Sequence, residues 1–169
     1  MSILNIEIKA RCDHPDRIRN ILRKHNADFK GTDHQIDTYF EVPEGRLKLR
    51  QGTIENNLIF YNRDNQSGPK ASKINLVPAK HPQKLRTLLD NALGTKVVVD
   101  KEREIYFIDN VKFHVDTVAE LGNFIEIEAI DEDGSIGEET LHKQCQKYLQ
   151  LFDISEDQLI SHSYSDLLL

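Results

Sequence analysis

The sequence feature that most constrains the fold is a strict alternation of polar, mostly charged, and apolar residues in short segments. Arg46-Leu47-Lys48-Leu49-Arg50 alternates at every position, and the segment from Leu4 to Arg11 alternates in the same way. Successive side chains of a β-strand point to opposite faces, so each segment predicts a strand with one apolar and one charged face. The chain is therefore expected to build a sheet whose two faces differ sharply.

The remaining patterns predict an α+β plan without a linker or internal repeat. Pro15 and Pro82 mark helix starts, and Gly94 marks a helix end. Helices are predicted over 15–27, 82–93 and 138–152, with a short docked helix in 163–169. Strands are predicted over 4–11, 35–42, 46–50, 56–63, 70–77, 96–108, 111–119 and 123–130. Short connections such as Asp109-Asn110 favour antiparallel neighbours, and we expect one domain over 1–169.

Composition excludes several classes of protein. The 169 residues carry 22 Lys and Arg against 28 Asp and Glu, a formal net charge of −6. This acidic balance argues against a nucleic-acid or membrane-surface partner, which would need an excess of cations. Apolar runs such as Val97-Val98-Val99 are too short to span a membrane. The two cysteines, Cys12 and Cys145, lack metal-ligand spacing and predict a reducing, cytoplasmic setting.

The charged face of these strands is the main functional signal. For one strand, a solvated face of alternating charge is the simplest interpretation. Basic triplets on neighbouring open strands would repel each other, however, and a polyanion would neutralise them. A sheet curled into a closed or nearly closed barrel could place them inside a tunnel for a phosphate chain. By parity this face carries Glu7, Lys9, Arg11, Arg46, Lys48, Arg50, Arg63, Lys101, Arg103, Lys112, His114, Asp116, Glu126 and Glu128.

The acids on the same face suggest a divalent-cation site. Glu126 and Glu128 are two residues apart, so both carboxylates project from one face. Mg²⁺ and Mn²⁺ prefer carboxylate and water oxygens and often bridge to substrate phosphates. Glu7 and Asp116 complete this candidate ligand set. The alternative is that all four acids only pair with neighbouring Arg and Lys residues.

His114 and the loop from Asp64 to Pro69 each allow two interpretations. His114 shares a face with Asp116 and could contact phosphate, although a hydrogen-bonded structural histidine is the simpler explanation. The polar loop from Asp64 to Pro69 is either a lid over the tunnel mouth or a hairpin tip. The sequence contains neither a GxxxxGK[ST] phosphate loop nor a GxGxxG turn.

An ordered set of motifs resembles the CYTH superfamily, which is named for class IV adenylate cyclases and thiamine triphosphatases. The set comprises Asn5-Ile6-Glu7-Ile8-Lys9-Ala10-Arg11, Asp37-Thr38-Tyr39-Phe40, Gly45-Arg46-Leu47-Lys48-Leu49-Arg50, then Arg63, Lys70, Ser72, Asp116 and Glu126-Ile127-Glu128. The family signature is Glu-x-Glu-x-Lys. Here Asn5 stands at the first glutamate position, which removes one anionic group and leaves the number of bound metals open.

The resemblance implies an eight-stranded, mostly antiparallel triphosphate tunnel with flanking helices. It implies Mg²⁺ or Mn²⁺ held by Glu7, Asp116, Glu126 and Glu128, and catalytic roles for Lys9, Arg63 and Lys112. The implied partner is a small-molecule triphosphate: ATP, thiamine triphosphate or tripolyphosphate. A homodimer is left open. The implied triphosphate-binding residues are Lys9, Arg11, Arg46, Lys48, Arg50, Arg63, Lys70, Lys101 and Arg103.

Three functions are compatible with these residues. The resemblance favours a class IV adenylate cyclase, in which the ribose 3′-hydroxyl attacks the α-phosphorus of ATP and pyrophosphate leaves. In a triphosphatase, water would attack the terminal phosphorus of thiamine triphosphate, tripolyphosphate or a nucleoside triphosphate. The third function is a non-catalytic polyphosphate- or nucleotide-binding module, which Asn5 favours slightly and the retained acids disfavour.

Overall fold

The computed structural model describes residues 2–63 and 66–169, and in this part of the chain eight strands close into a barrel. Asp64 and Asn65, in the loop predicted as a lid or a hairpin tip, lie outside the described residues. The elements in chain order are β1 (Ser2–Arg11), α1 (Pro15–Lys24), β2 (Asp28–Phe40), β3 (Arg46–Gly52), β4 (Asn56–Asn62), β5 (Lys70–Pro78), α2 (Pro82–Leu93), β6 (Thr95–Ile108), β7 (Val111–Val118), β8 (Gly122–Asp131), α3 (Glu138–Leu151) and α4 (Tyr164–Leu167).

The strands follow the order β1-β5-β4-β3-β2-β6-β7-β8 around the barrel, and β8 pairs with β1. Every one of these neighbouring pairs is antiparallel. Closure leaves no sheet edge to be covered, and it separates the two faces of each strand into an inside and an outside. The predicted antiparallel barrel with flanking helices is confirmed.

Strand β2 is longer than predicted. It begins at Asp28 instead of residue 35, and its first half pairs with β6, from Asp28 opposite Phe107 to His34 opposite Glu102. This half is polar and contains Gly31, at which the register shifts, so it lacks the alternation that reveals a strand. Pairing with β6 supplies the stabilisation that the local sequence does not show.

The helices begin and end close to the predicted residues. Pro15 and Pro82 occupy the first turns of α1 and α2, where the fixed φ of proline suits the helix and its missing N–H costs nothing. α1 ends at Lys24, three residues before the predicted end, because Asn26 adopts a left-handed backbone with φ 56°. α2 ends as predicted, and the amide of Gly94 caps it by donating to the carbonyl of Asp90.

The main hydrophobic core lies outside the barrel, between the outer faces of β1, β7 and β8 and the helices α1 and α3. Phe113 of β7 is fully buried, and its ring packs edge-on against Tyr148 of α3 at 4.8 Å between centroids. Ile18 and Leu22, one helical turn apart, cover the core from α1. Burial of each large apolar side chain contributes roughly 1.5–3 kcal/mol, so this side anchors the barrel.

The C-terminal segment closes one end of the barrel. Leu159 bridges to Ala10 of β1, and the amide of Ile160 donates to the carbonyl of Lys9 at 2.9 Å. Tyr164 of α4 then packs on Phe124 of β8 in a second apolar cluster inside the barrel. The short docked helix predicted at the C-terminus is therefore present, and its docking closes the tunnel at this end.

The cysteines and the lengths of the helices can also be described. Cys12 and Cys145 are both free and buried. None of the helices in the described ranges is long and apolar enough to cross a lipid bilayer.

Candidate functional site

A cavity of about 110 Å³ lies inside the barrel, and all eight strands contribute to its wall. The inward parity of the strands explains this: the charged face predicted from alternation is the inner face of a closed sheet. The predicted residues that line the cavity are Glu7, Lys9, Lys48, Arg50, Arg63, Lys101, Arg103, Lys112, His114, Glu126 and Glu128. The cations outnumber the acids in this set, so the cavity suits an anion.

Three predicted phosphate ligands lie away from the cavity wall. Arg11 is exposed, with its guanidinium 5.1 Å from the ring centre of Phe124. Arg46 pairs with Asp166 of α4 at 2.6 Å. Lys70 donates to the main-chain carbonyl of Ser161. Arg46 and Lys70 thus contact the C-terminal segment, a long-range packing that strand parity does not predict.

Asp37 of β2 organises one group of cations. Its fully buried carboxylate accepts two hydrogen bonds from Arg50, at 2.9 and 2.8 Å, and one from Lys101 at 2.7 Å. Burial alone would raise the pKa of Asp37, but Arg50 and Lys101 hold it well below the usual range. Burial lowers the pKa of Lys101 to about 7 in spite of this partner. Asp37 was not among the predicted site residues, although the parity of β2 places it on the inner face.

Asp116 and Glu126 hold Arg103 in a second group. Arg103 makes a bidentate pair with Asp116, with both distances 2.8 Å, and also contacts Glu126 at 2.5 Å. Tyr164 donates to Asp116 at 2.8 Å, and Lys9 lies 3.6 Å from Glu126. Burial would raise the pKa of Glu126, but Arg103 and Lys9 hold it well below the usual range. Both guanidinium groups, Arg50 and Arg103, are therefore oriented before any ligand binds.

Glu55 is a site residue that the sequence did not reveal. It lies in the turn between β3 and β4, lines the cavity, and contacts Lys112 at 2.5 Å and Arg50 at 3.5 Å. Asp33 fixes this turn by accepting the backbone N–H groups of Thr53, Ile54 and Glu55. A turn has no side-chain period, so no pattern in the sequence could have placed Glu55 in the cavity.

Comparison with known proteins identifies the family. The protein-family model described as CYTH domain matches residues 4–164 of this chain. The chain belongs to the CYTH family. Its relatives include "Putative adenylate cyclase MJ0240" from Methanocaldococcus jannaschii, which is 28% identical over 178 aligned positions that cover 98% of each protein.

Solved structures share the fold of this CYTH domain. The PH1012 protein from Pyrococcus horikoshii OT3 has a TM-score of 0.83 at 23% identity, covering 96% of this chain and 98% of that one. A protein named putative adenylate cyclase from Vibrio parahaemolyticus has a TM-score of 0.76 at 20% identity, covering 98% and 97%. These likenesses establish the barrel fold.

The carboxylates at the cavity wall of this CYTH domain are ligands of the type that hard divalent cations prefer. Glu7 and Glu128 are direct partners on β1 and β8, and both line the cavity beside Glu126. Like charges in opposite positions are unfavourable unless a cation compensates them, and Arg63 does so here at 3.0 Å from Glu7. Asp116 lies outside the cavity wall, with its oxygens on Arg103 and Tyr164. Among the described residues, no three or more His, Cys, Asp or Glu side chains are grouped as a metal site.

Within the described residues, four buried side chains have a polar atom without a hydrogen-bond partner: Asn5, Gln35, Thr38 and His114. In this part of the chain, neither amide atom of Asn5 has a hydrogen-bond partner, nor does Nε2 of His114. Asn5 is fully buried but is not part of the cavity wall. Nδ1 of His114 lies 3.1 Å from Glu126, and since a carboxylate only accepts, the ring carries its proton on Nδ1. His114 therefore has the structural hydrogen bond expected from the sequence and also lines the cavity.

Proposed function

We propose that this CYTH domain is a divalent-cation-dependent enzyme acting on a triphosphate, and that it converts ATP to cyclic AMP and pyrophosphate. The observation that carries the proposal is the convergence of seven cationic side chains on one cavity inside the barrel. A triphosphate carries about four negative charges and needs several convergent donors. The proposed phosphate ligands at the wall are Lys9, Lys48, Arg50, Arg63, Lys101, Arg103 and Lys112.

The three remaining predicted cations have a different proposed role. Arg46 and Lys70 hold the C-terminal segment against the barrel end, and Arg11 lies near the same end. We therefore propose that they act on the phosphate chain at longer range, through the positive potential at the closed end. Direct contact is assigned to the cations of the wall.

Glu7, Glu126 and Glu128 would hold the cation, Mg²⁺ or Mn²⁺. When bound, it would neutralise charge on the phosphate oxygens. The fourth predicted ligand, Asp116, is proposed instead to orient Arg103, because both of its oxygens are already bonded.

In the proposed reaction the ribose 3′-oxygen forms a bond to the α-phosphorus, and the bond from that phosphorus to the bridging oxygen breaks. Pyrophosphate leaves with the bonding electrons, and the hydroxyl proton is released to water. Lys9, Arg63 and Lys112 are placed to stabilise the charge that builds on the phosphate oxygens. The apolar part of the wall, Ile59, Ile74 and Leu76 on β4 and β5, offers a surface to the nucleoside.

The choice of a cyclase rests on two supports. The relative matched over nearly the whole chain is named as a putative adenylate cyclase. The apolar wall also matches a substrate with an uncharged part attached to its triphosphate. A triphosphatase would use the same cations and acids, with water as the nucleophile, so product identity decides between them.

The test is an assay of the full chain with Mn²⁺ and ATP, thiamine triphosphate or tripolyphosphate, with all products separated by chromatography. We expect cyclic AMP and pyrophosphate in equal amounts from ATP. The Glu128→Gln variant should lose this product, whereas Glu139→Gln, the same change on the exposed face of α3, should retain it. Orthophosphate without cyclic AMP would identify a triphosphatase. Tight binding without any product would identify a binding module.

A further inference from the structure

Glu55 places a negative charge inside a cavity built for an anion. Its carboxylate lies 2.5 Å from Lys112 and 3.5 Å from Arg50, and Gln35 donates to it at 3.0 Å. Two cations that could bind phosphate are thus already paired with the protein itself. A fixed carboxylate at this place repels any phosphate that approaches it.

The position of Glu55 is fixed by the backbone and does not depend on a flexible side chain alone. Asp33 is fully buried and accepts three consecutive backbone N–H groups of the turn, from Thr53 to Glu55. Gly52 approaches so closely that a Cβ there would lie 2.6 Å from the carbonyl oxygen of Glu55. Because the turn is held by these contacts, Glu55 cannot move aside without breaking several hydrogen bonds.

Glu55 lies at the opposite end of the cavity from the C-terminal segment. On β3, Arg46 contacts Asp166 of that segment, whereas Arg50 contacts Glu55. On β7, Asp116 contacts Tyr164, whereas Lys112 contacts Glu55. Each pair of positions is four residues apart, which corresponds to roughly 13 Å along a strand. The basic cavity is therefore bounded by the C-terminal segment at one end and by Glu55 at the other, roughly 13 Å apart along the strands.

We propose that Glu55 is a specificity-determining residue that limits the length of the phosphate chain the cavity accepts. The proposal rests on the proposed function, since it concerns the same anion site. A phosphate chain fills the space between the closed end and Glu55, so that one of its terminal phosphates lies next to the Glu55 carboxylate. Longer chains would bring a further phosphate against that carboxylate and are therefore rejected.

The experiment compares the affinities of pyrophosphate, tripolyphosphate and tetrapolyphosphate for the full chain by isothermal titration calorimetry in Mg²⁺ buffer. The variants are Glu55→Gln, which removes the charge and keeps the shape, and Glu55→Asp, which keeps the charge. Glu102→Gln is the matched control, because Glu102 is exposed on β6 and does not line the cavity.

We expect the parent to bind tripolyphosphate more tightly than tetrapolyphosphate. In Glu55→Gln the preference should fall by on the order of tenfold or more, because the repulsion is removed. Glu55→Asp and Glu102→Gln should keep the parental preference. An unchanged preference in Glu55→Gln would overturn the proposal and leave Glu55 as a partner that only balances charge. A Glu55→Gln chain that does not fold would also overturn it, because it would make Glu55 a structural residue.

This test distinguishes the role of Glu55 in limiting chain length from the proposed function. If the parent binds these anions with the expected preference but yields no product, the proposed enzyme activity is overturned and the role of Glu55 is retained. A parent that binds none of the three anions overturns both.

Discussion

The two faces of β1, β7 and β8 are built from alternate residues of the same strands, yet different forces stabilise them. Outside, Ile8, Phe113 and Ile127 pack against α1 and α3 in an apolar core. Inside, Lys9, His114 and Glu126 form a compact group of ion pairs and hydrogen bonds. The outer face gains free energy by removing apolar surface from water. The inner face must compensate the desolvation of each charge with a partner.

Within a single strand, the outer face therefore serves stability and the inner face serves function. Replacing buried ion pairs by apolar residues is often neutral or stabilising, so the inner charges are not explained by stability. Their retention inside the barrel is accounted for if a ligand uses them. We therefore expect changes on the outer face to act on unfolding, and changes on the inner face to act on ligand binding.

The largest expected effect is on the outer face. Phe113→Ala should lower the free energy of unfolding by about 3–5 kcal/mol, because it opens a cavity at a fully buried ring. Urea denaturation measures this loss, and Phe29→Ala, at a ring that is 52% exposed, is the control with a small effect. Binding of tripolyphosphate to the folded fraction should be unchanged. Weakened binding would show that the two faces are not independent.

The next effect is on the inner face. At a ligand concentration of 100 Kd, Mn²⁺ with tripolyphosphate should stabilise the parent by about 2.7 kcal/mol, and Glu128→Gln should lose most of this gain. Thermal melts with and without ligand measure it. Glu128 is preferred to Glu126 for this test because Glu126 is buried against Arg103 and Lys9, and its removal would leave buried charges unpaired. Equal stabilisation of variant and parent would mean that Glu128 does not hold the cation.

A smaller effect is expected at Asp33, which positions Glu55 but does not line the cavity. Burial would raise the pKa of Asp33, but hydrogen bonds from Gln35 and the turn lower it below the usual value. A carboxyl with a lowered pKa in the folded state stabilises the protein above its unfolded pKa, and this contribution is lost as pH falls through the folded pKa. Asp33→Asn should therefore lower the free energy of unfolding by about 1–3 kcal/mol at pH 7.

The pH dependence makes the Asp33 prediction specific. The difference between Asp33→Asn and the parent should shrink as pH falls below about 4, the unfolded pKa of aspartate. Urea titrations at neutral and acidic pH measure it. A difference that stays constant across this range would assign the loss to packing and not to the carboxylate.

The smallest effect is expected on the solvent side of α3. Lys143 pairs with Glu139 one turn away at 3.3 Å, and both side chains are largely exposed. Lys143→Ala should change the free energy of unfolding by no more than about 0.5 kcal/mol, because water and salt screen such pairs. If Lys143→Ala lowered the free energy of unfolding by several kcal/mol in the same denaturation assay, exposed ion pairs would matter as much as buried ones, contrary to this expectation.

The sequence by itself determined the parity of the strands and therefore which residues face inward. The alternation from Arg46 to Arg50 and from Leu4 to Arg11 was sufficient, because the side-chain period of a strand is a local property. The helix starts at Pro15 and Pro82 and the end at Gly94 were local in the same sense. Motif order added the CYTH family and its barrel.

Only the tertiary structure decided which inward residues meet. Parity assigns a face but not a height along the barrel, so it could not separate Arg50 at the cavity from Arg46 at the C-terminal segment. It also could not reveal the polar half of β2, which pairing with β6 stabilises, nor Glu55 in a turn without a period. Strand tilt, turn geometry and docking of the chain end join residues far apart in sequence, and no local pattern encodes those distances.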